Sequence, residues 1–224
     1  MQNDVSLRLA KRIWEVVEKE FESGELFEKV SPITKELLRF WFCEPFISQR
    51  QFNFHKGQKQ SILNIIYLHE VLKINNVLEI YEQVAPDLLL ESDLFGAKET
   101  RNSLKESRYD LPKYLVKMAT GTGKTWVMHA LLIWQILNAK NEEEKSGRFT
   151  KNFLIVAPGL IVYDRLLDAY KGRLSENGDG RDFSTNDFVR NKDLFVPENY
   201  REEVFSFTQN NTVSKEEGIG SKIT

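Results

Sequence analysis

Cysteine is almost absent: Cys43 stands alone in 224 residues, so neither a disulfide framework nor a thiolate zinc site can be assembled. It lies within Phe40-Trp41-Phe42-Cys43, where a small buried hydrophobe is the plain reading. The three histidines, His55, His69 and His129, are too dispersed to suggest a metal cluster. No run reaches the ~18 uncharged apolar residues of a membrane span, and the opening MQNDVSLRLAKRIWEVVEKE lacks the apolar stretch of a signal peptide. An excess of one charge is missing too. With 31 basic and 33 acidic residues the net charge is −2, so no global field advertises nucleic acid, although a local basic groove stays open. The expectation is a soluble cytoplasmic protein of one or two domains with no membrane partner, and 41% hydrophobic content suffices for a packed core.

The chain's most informative stretch is Met118 to Thr125, MATGTGKT. A short apolar run, Tyr114-Leu115-Val116, precedes it, and a long apolar segment from Trp126 to Leu137 follows. Strand, glycine turn and helix thus come in the order a phosphate-binding loop requires. Gly121 and Gly123 permit torsions that turn successive N–H groups inward on an anion, and the following helix aims its positive end at the same place. In such a loop Thr120, Gly121, Thr122 and Gly123 form the cradle, Lys124 sets a compact charge on the β- and γ-phosphates, and the Thr125 hydroxyl joins the shell of a Mg²⁺. Met118 occupies the position of the usual first glycine.

What remains, A-T-G-T-G-K-T, resembles motif I of superfamily 2 helicases and ATP-dependent restriction translocases. Further along, Phe153-Leu154-Ile155-Val156 reads as a strand buried on both faces of a parallel sheet, ended by Ala157-Pro158-Gly159. The whole run FLIVAPGLIVYDRLLDAY resembles motif Ia of the same proteins. By that resemblance the turn at Pro158, Gly159 and Leu160 meets the sugar-phosphate backbone of DNA, a contact that main-chain amides at a helix start can make. Gly57-Gln58-Lys59-Gln60-Ser61-Ile62 is similar to the family's adenine-recognising glutamine motif. Gln58 is the candidate, Gln60 and Gln51 its substitutes, and an amide suits adenine because it offers a donor and an acceptor together. The loop with its long APGLIVYDRL element looks most like the N-terminal part of a type III restriction enzyme Res subunit, or a close DEAD/DEAH-box relative. The resemblance implies an α/β fold, a partial RecA-like P-loop NTPase domain with a parallel sheet flanked by helices, working with ATP and Mg²⁺. It also implies single- or double-stranded DNA and a methyltransferase or specificity subunit as partners.

The rest of the chain fits around these motifs. Leu9, Ile13, Val16, Val17 and Phe21 mark an amphipathic helix over residues 4–22, and Ser31-Pro32 caps a second helix through Leu37, Leu38 and Trp41. Residues 1–48 are therefore expected to be a helical segment and 49–224 a partial ATP-binding domain. Helices are expected at 77–84 and 87–95, with a polar insertion before the first strand. Leu160-Ile161-Val162-Tyr163-Asp164 imitates a Walker B strand, but Arg165 follows where a glutamate is needed and Leu166, Leu167 and Tyr170 keep a helical period. Lys171 to Lys192 reads as a long surface loop, a short helical turn is expected after Pro197, and Val204 to Thr208 alternates like a strand. No D-E-x-[HD] follows Thr125. The chain is thus expected to be the N-terminal piece of a longer helicase or translocase, inactive by itself. The alternatives are a nucleotide-binding module without turnover and a different P-loop NTPase.

Overall fold

The computed structural model describes residues 5–91, 112–141, 147–178 and 180–214. They belong to two compact units that interleave along the chain, residues 1–35 with 55–127 and residues 36–54 with 128–224.

The first unit is built from amphipathic helices. In α1 (Val5–Ser23) Leu9, Ile13 and Val17 recur every four residues and are all buried. The buried residues beside them come from α2 (Leu26–Lys29), α4 (Lys56–Ile66), α5 (Val77–Val84) and α6 (Pro86–Glu91): Leu26, Ile62, Ile66, Leu78 and Leu88. Helix α3 (Pro32–Phe42) starts as its sequence indicates, with the Ser31 hydroxyl accepting from the Thr34 amide at 3.0 Å. The buried Glu70 carboxylate accepts from the Ser31 amide and, at 2.7 Å, from the Thr34 hydroxyl. Glu70 sits in a π-helical turn, Tyr67–Val71, closed by the Leu72 amide on the Tyr67 carbonyl at 2.9 Å. The helix expected over 87–95 is seen as α6, and its last positions lie outside the described residues.

The second unit packs around aromatic rings. Trp41, at the end of α3, is fully buried and donates from its indole nitrogen to the Phe195 carbonyl at 3.0 Å. Edge-on contacts link Trp41 to Phe54, Phe54 to Phe195, and Phe195 to both Phe188 and His129. Of the aromatic cluster Phe40, Trp41, Phe42 and Phe46, expected to be core because it lacks interleaved basic residues, the first three are buried and Phe46 is exposed. Cys43 is half-buried. His129 is carried by α7 (Lys124–Asn141), whose nearly all-round apolar sequence demands cover: Val127, Ala130, Ile133, Trp134, Ile136 and Leu137 are buried. The imidazole meets the Tyr170 hydroxyl at 3.2 Å through Nδ1 and the Asp187 carboxylate at 3.1 Å through Nε2. Tyr170 belongs to α8 (Leu160–Lys171), so Asp164 is helical and not at the end of a Walker B strand.

Three expectations about this unit need correction. The sheet found among the described residues is a two-stranded antiparallel hairpin, β1 (Arg173–Leu174) with β2 (Arg181–Asp182), and no parallel sheet is found there. Phe153 to Val156 has the alternation of a strand, being 38, 81, 39 and 78% exposed in turn, but it joins no ladder among the described residues. An apolar run is buried on both faces only where neighbouring strands and helices supply both faces. In the first unit, residues 114–116 likewise join no sheet among the described residues, and Leu115 is exposed.

The second correction concerns 171–192, which is more than a loop. After the hairpin, a 3₁₀ turn (Phe183–Thr185) leads to α9 (Asp187–Arg190), capped by Asn186 on the Val189 amide at 2.8 Å, with Phe188 buried. Gly172, with φ +84, is required there because a Cβ would collide with the Asp182 carbonyl. Third, Val204 to Thr208 is not a strand. After α10 (Lys192–Phe195) and the expected turn (Glu198–Tyr200), it lies within α11 (Arg201–Asn211), where Val204 and Thr208, four apart, are the buried pair. Glu202 and Glu203 in the first turn complement the helix dipole, a term that alternation does not register.

Candidate nucleotide-binding site

The candidate phosphate loop, Met118 to Thr125, lies in the first unit, at the N-terminus of α7. Gly121 and Gly123 adopt φ +80 and +70, the left-handed torsions that the loop reading requires of them. A Cβ on Gly121 would meet nothing within 4 Å, so the space beside that residue is open. The first amides of α7 have no intrahelical acceptor, and the first turn carries no acidic side chain, so the positive end of the helix faces the loop uncompensated by one.

The loop folds on the carbonyl of Ala119. The Thr122 hydroxyl donates to it at 2.7 Å, the Thr122 amide at 3.4 Å and the Lys124 ammonium at 2.9 Å. Lys124 and Thr120 are exposed and Thr125, second in the helix, is half-buried. This set of groups fits Mg²⁺-triphosphate chemistry: an ammonium and helix amides for phosphate oxygens, one hydroxyl oxygen as a hard ligand.

The first turn of α4 supports the loop from behind. His55 caps that helix: its Nδ1 accepts from the amides of Gly57 and Gln58 at 3.1 and 3.3 Å, while the Gln58 side chain returns to the His55 amide at 3.0 Å. Because Nδ1 accepts, the ring proton sits on Nε2, which donates to the Thr122 carbonyl at 2.9 Å. The Gln58 amide nitrogen donates to the Gly123 carbonyl at 3.2 Å, and the residue is only 3% exposed. A Cβ on Gly123 would collide with that nitrogen, so this glycine serves the close approach of Gln58 as well as the turn. A Cβ on Gly57 would in turn crowd the His55 ring at 3.2 Å. His55 was not singled out from sequence, although His-Lys-Gly-Gln has the spacing of a capping box.

Pro158, Gly159 and Leu160 lie in the second unit, all exposed. Gly159 is the N-cap of α8, with no side-chain cap and no acidic residue in the first turn, leaving the helix amides turned to solvent. A cavity of about 550 Å³ elsewhere in that unit is lined by Tyr170, Arg181, Phe183 and Thr208. Its arginine is already engaged by Asp168 at 2.6 Å and the Gly172 carbonyl at 2.7 Å, so it offers little to an anion. Among the described residues no cluster of His, Cys, Asp or Glu could hold a metal, and no helix is long and apolar enough to cross a membrane.

Comparison with family models matches residues 51–218 to the type III restriction enzyme, res subunit. Comparison with curated proteins and with solved structures finds no match.

Proposed function

From the premise that the chain belongs to the type III restriction enzyme, res subunit family, whose ATP-binding domain is RecA-like, we propose that it is the ATP-binding part of an ATP-dependent DNA helicase or translocase of a restriction system. The observation that carries this reading is the loop itself, with two left-handed glycines and an exposed lysine at an unopposed helix N-terminus. Residues 49–224 form the ATP-binding portion and residues 1–48 a helical preface to it.

In this reading Thr120 to Gly123 wrap the phosphates, and Lys124 leaves the Ala119 carbonyl to reach the β- and γ-oxygens. Thr125 turns its hydroxyl to Mg²⁺. When bound, that ion supplies charge neutralisation on the phosphate oxygens. DNA lies along Pro158, Gly159 and Leu160, whose backbone amides meet phosphates without base readout. A methyltransferase or specificity subunit supplies the sequence choice in the assembled enzyme.

Nucleotide binding is tested by calorimetry with Mg-ATP on the 224-residue chain. Binding that disappears in Lys124→Ala supports the proposal, and absence of any heat at saturating nucleotide overturns it. A second reading, binding without turnover, is favoured by the lack of D-E-x-[HD] in the 224 residues. A DNA-stimulated ATPase rate measured on this chain would remove that reading and leave the first.

A further inference from the structure

The side chain of Gln58 is bonded at both ends inside the protein. Its oxygen holds the His55 amide and its nitrogen the Gly123 carbonyl, at a residue that is 3% exposed. A base reader needs the reverse: an amide whose donor and acceptor face the ligand together. His55 makes the parallel contact one residue earlier, from Nε2 to the Thr122 carbonyl. Two consecutive loop carbonyls, Thr122 and Gly123, therefore accept from the start of α4, and the Gly123 carbonyl also accepts from the Trp126 and Val127 amides of α7 at 3.0 and 3.4 Å. Within a peptide unit the N–H points opposite to the carbonyl, so holding these two oxygens aims the amides of Gly123 and Lys124 the other way, as an anion cradle requires.

We propose that His55 and Gln58 are positioning residues that clamp the phosphate loop through these two carbonyls, and that the site selects the triphosphate without selecting adenine. The proposal rests on the nucleotide-binding reading of the loop and adds to it which residues hold the loop and what the site ignores. It also accounts for two glycines at once. Gly123 leaves room for the Gln58 nitrogen, and Gly57 leaves room for the His55 ring.

The test compares Mg-ATP, Mg-GTP and Mg-tripolyphosphate, which has no base, as calorimetric ligands of the full 224-residue chain. Gln58→Glu keeps the oxygen that faces the His55 amide, and so the capping box, but has no donor for the Gly123 carbonyl. Gln58→Met removes the donor without adding charge near the phosphates. His55→Asn keeps an N-cap acceptor on a side chain too short to reach Thr122. Gln60, a substitute reader, is also engaged, its amide nitrogen donating to the Asn64 side chain at 2.7 Å, and Gln51 belongs to the second unit, so wild-type chain is expected to bind ATP and GTP within about threefold. Gln58→Met and His55→Asn are each expected to weaken all three ligands by one common factor, about five- to tenfold for a lost hydrogen bond, and Gln58→Glu to weaken all three further because its charge repels the phosphates. The ligand-free variants are expected to melt a few degrees below the wild type, since a buried residue loses a hydrogen bond, and affinities are therefore measured well below each melting temperature, where a merely structural role would leave the folded chain binding as the wild type does. If the Gln58 variants weaken ATP and leave tripolyphosphate untouched, Gln58 reads the base and the proposal is overturned. Unchanged affinity for all three ligands in all variants overturns the clamp while leaving the nucleotide site intact. Failure of the nucleotide reading itself looks different: the wild type binds no ligand, or Lys124→Ala binds all three as well as the wild type, and both proposals then fall.

Discussion

The Lys124 ammonium donates to the carbonyl of Ala119 at 2.9 Å, within its own loop. Both groups are exposed, and the same carbonyl is also served by Thr122. Removing the lysine therefore leaves the resting loop with a second donor. Lys124→Ala is expected to melt within about a degree of the wild type without ligand, because exposed polar substitutions are close to neutral. With nucleotide the two should separate. At ~100 times Kd a ligand adds about 2.7 kcal/mol to the wild type, and the variant should gain nothing. Thermal melts with and without Mg-ATP read both halves, and a retained shift in the variant would refute the role given to Lys124.

The N-terminus of α8 offers a sharper contrast between stability and binding. Gly159 has an extended backbone with φ −174, open space where a Cβ would stand, and no side-chain cap on the helix it begins. Gly159→Asp should stabilise the fold by a few tenths of a kcal/mol, since aspartate caps better than glycine. It should also place a negative charge where DNA phosphate is proposed to lie, and so weaken DNA binding severalfold at low salt. Fluorescence anisotropy with a labelled duplex and a single strand measures the second effect. Equal affinity in the variant would move the DNA path elsewhere.

His129 is fully buried between two polar partners, the Tyr170 hydroxyl and the Asp187 carboxylate, and among the rings of Phe188 and Phe195. His129→Ala should cost about 3 kcal/mol, combining a cavity with an orphaned buried hydroxyl. Burial raises the Tyr170 pKa, with Asp187 adding to it, so the phenol stays neutral and acts as a hydrogen-bonding group. Tyr170→Phe in the wild type should cost about 1 kcal/mol, and clearly less once His129 is gone. Chemical denaturation of the two single variants and the double variant gives the coupling. Strict additivity would show that the contact contributes nothing.

A second tyrosine carries a pH signature. Tyr200 donates to Glu36 at 2.7 Å, and its pKa is pushed up to about 12, first by burial and then by the bond and charge of Glu36. The folded value lies above the ordinary 10, so the stabilisation is fully present below pH 10 and is lost as pH rises through about 12. The melting-temperature gap between wild type and Tyr200→Phe should therefore be constant up to pH 10 and close above it. A gap that stays flat to pH 12 would contradict this.

The parts of this chain visible in its sequence are those fixed by local chemistry. Helices α1, α5 and α7 follow from apolar spacing, α3 from its Ser-Pro start, and the glycine torsions of the loop from the motif. What escaped notice depended on partners distant along the chain. Gln58 reads as a candidate adenine contact from its motif, and its bond to Gly123, 65 residues away, follows only from the fold. Phe188 reads as one aromatic in a polar stretch until the Asn186 cap makes a helix that faces it inward. Val204 to Thr208 shows the opposite failure, in which a short alternating run fits both periods and the acidic first turn decides for helix. For residues 153–156 the apolar run indicates a strand buried on both faces, while the structure shows alternating exposure and no ladder among the described residues.

That bare segment has a practical consequence for handling the protein. Phe153 to Val156, followed by Leu160 and Ile161 at the start of α8, offers a patch of exposed apolar side chains that favours contact with another copy. The calculated isoelectric point is near 6.0, so a mildly acidic buffer strips away the mutual repulsion that keeps copies apart in suspension. Concentrated stocks should therefore stay clear at alkaline pH, turn turbid as the buffer approaches 6, and recover tolerance when Leu154 and Val156, the two most outward positions, are changed to lysine.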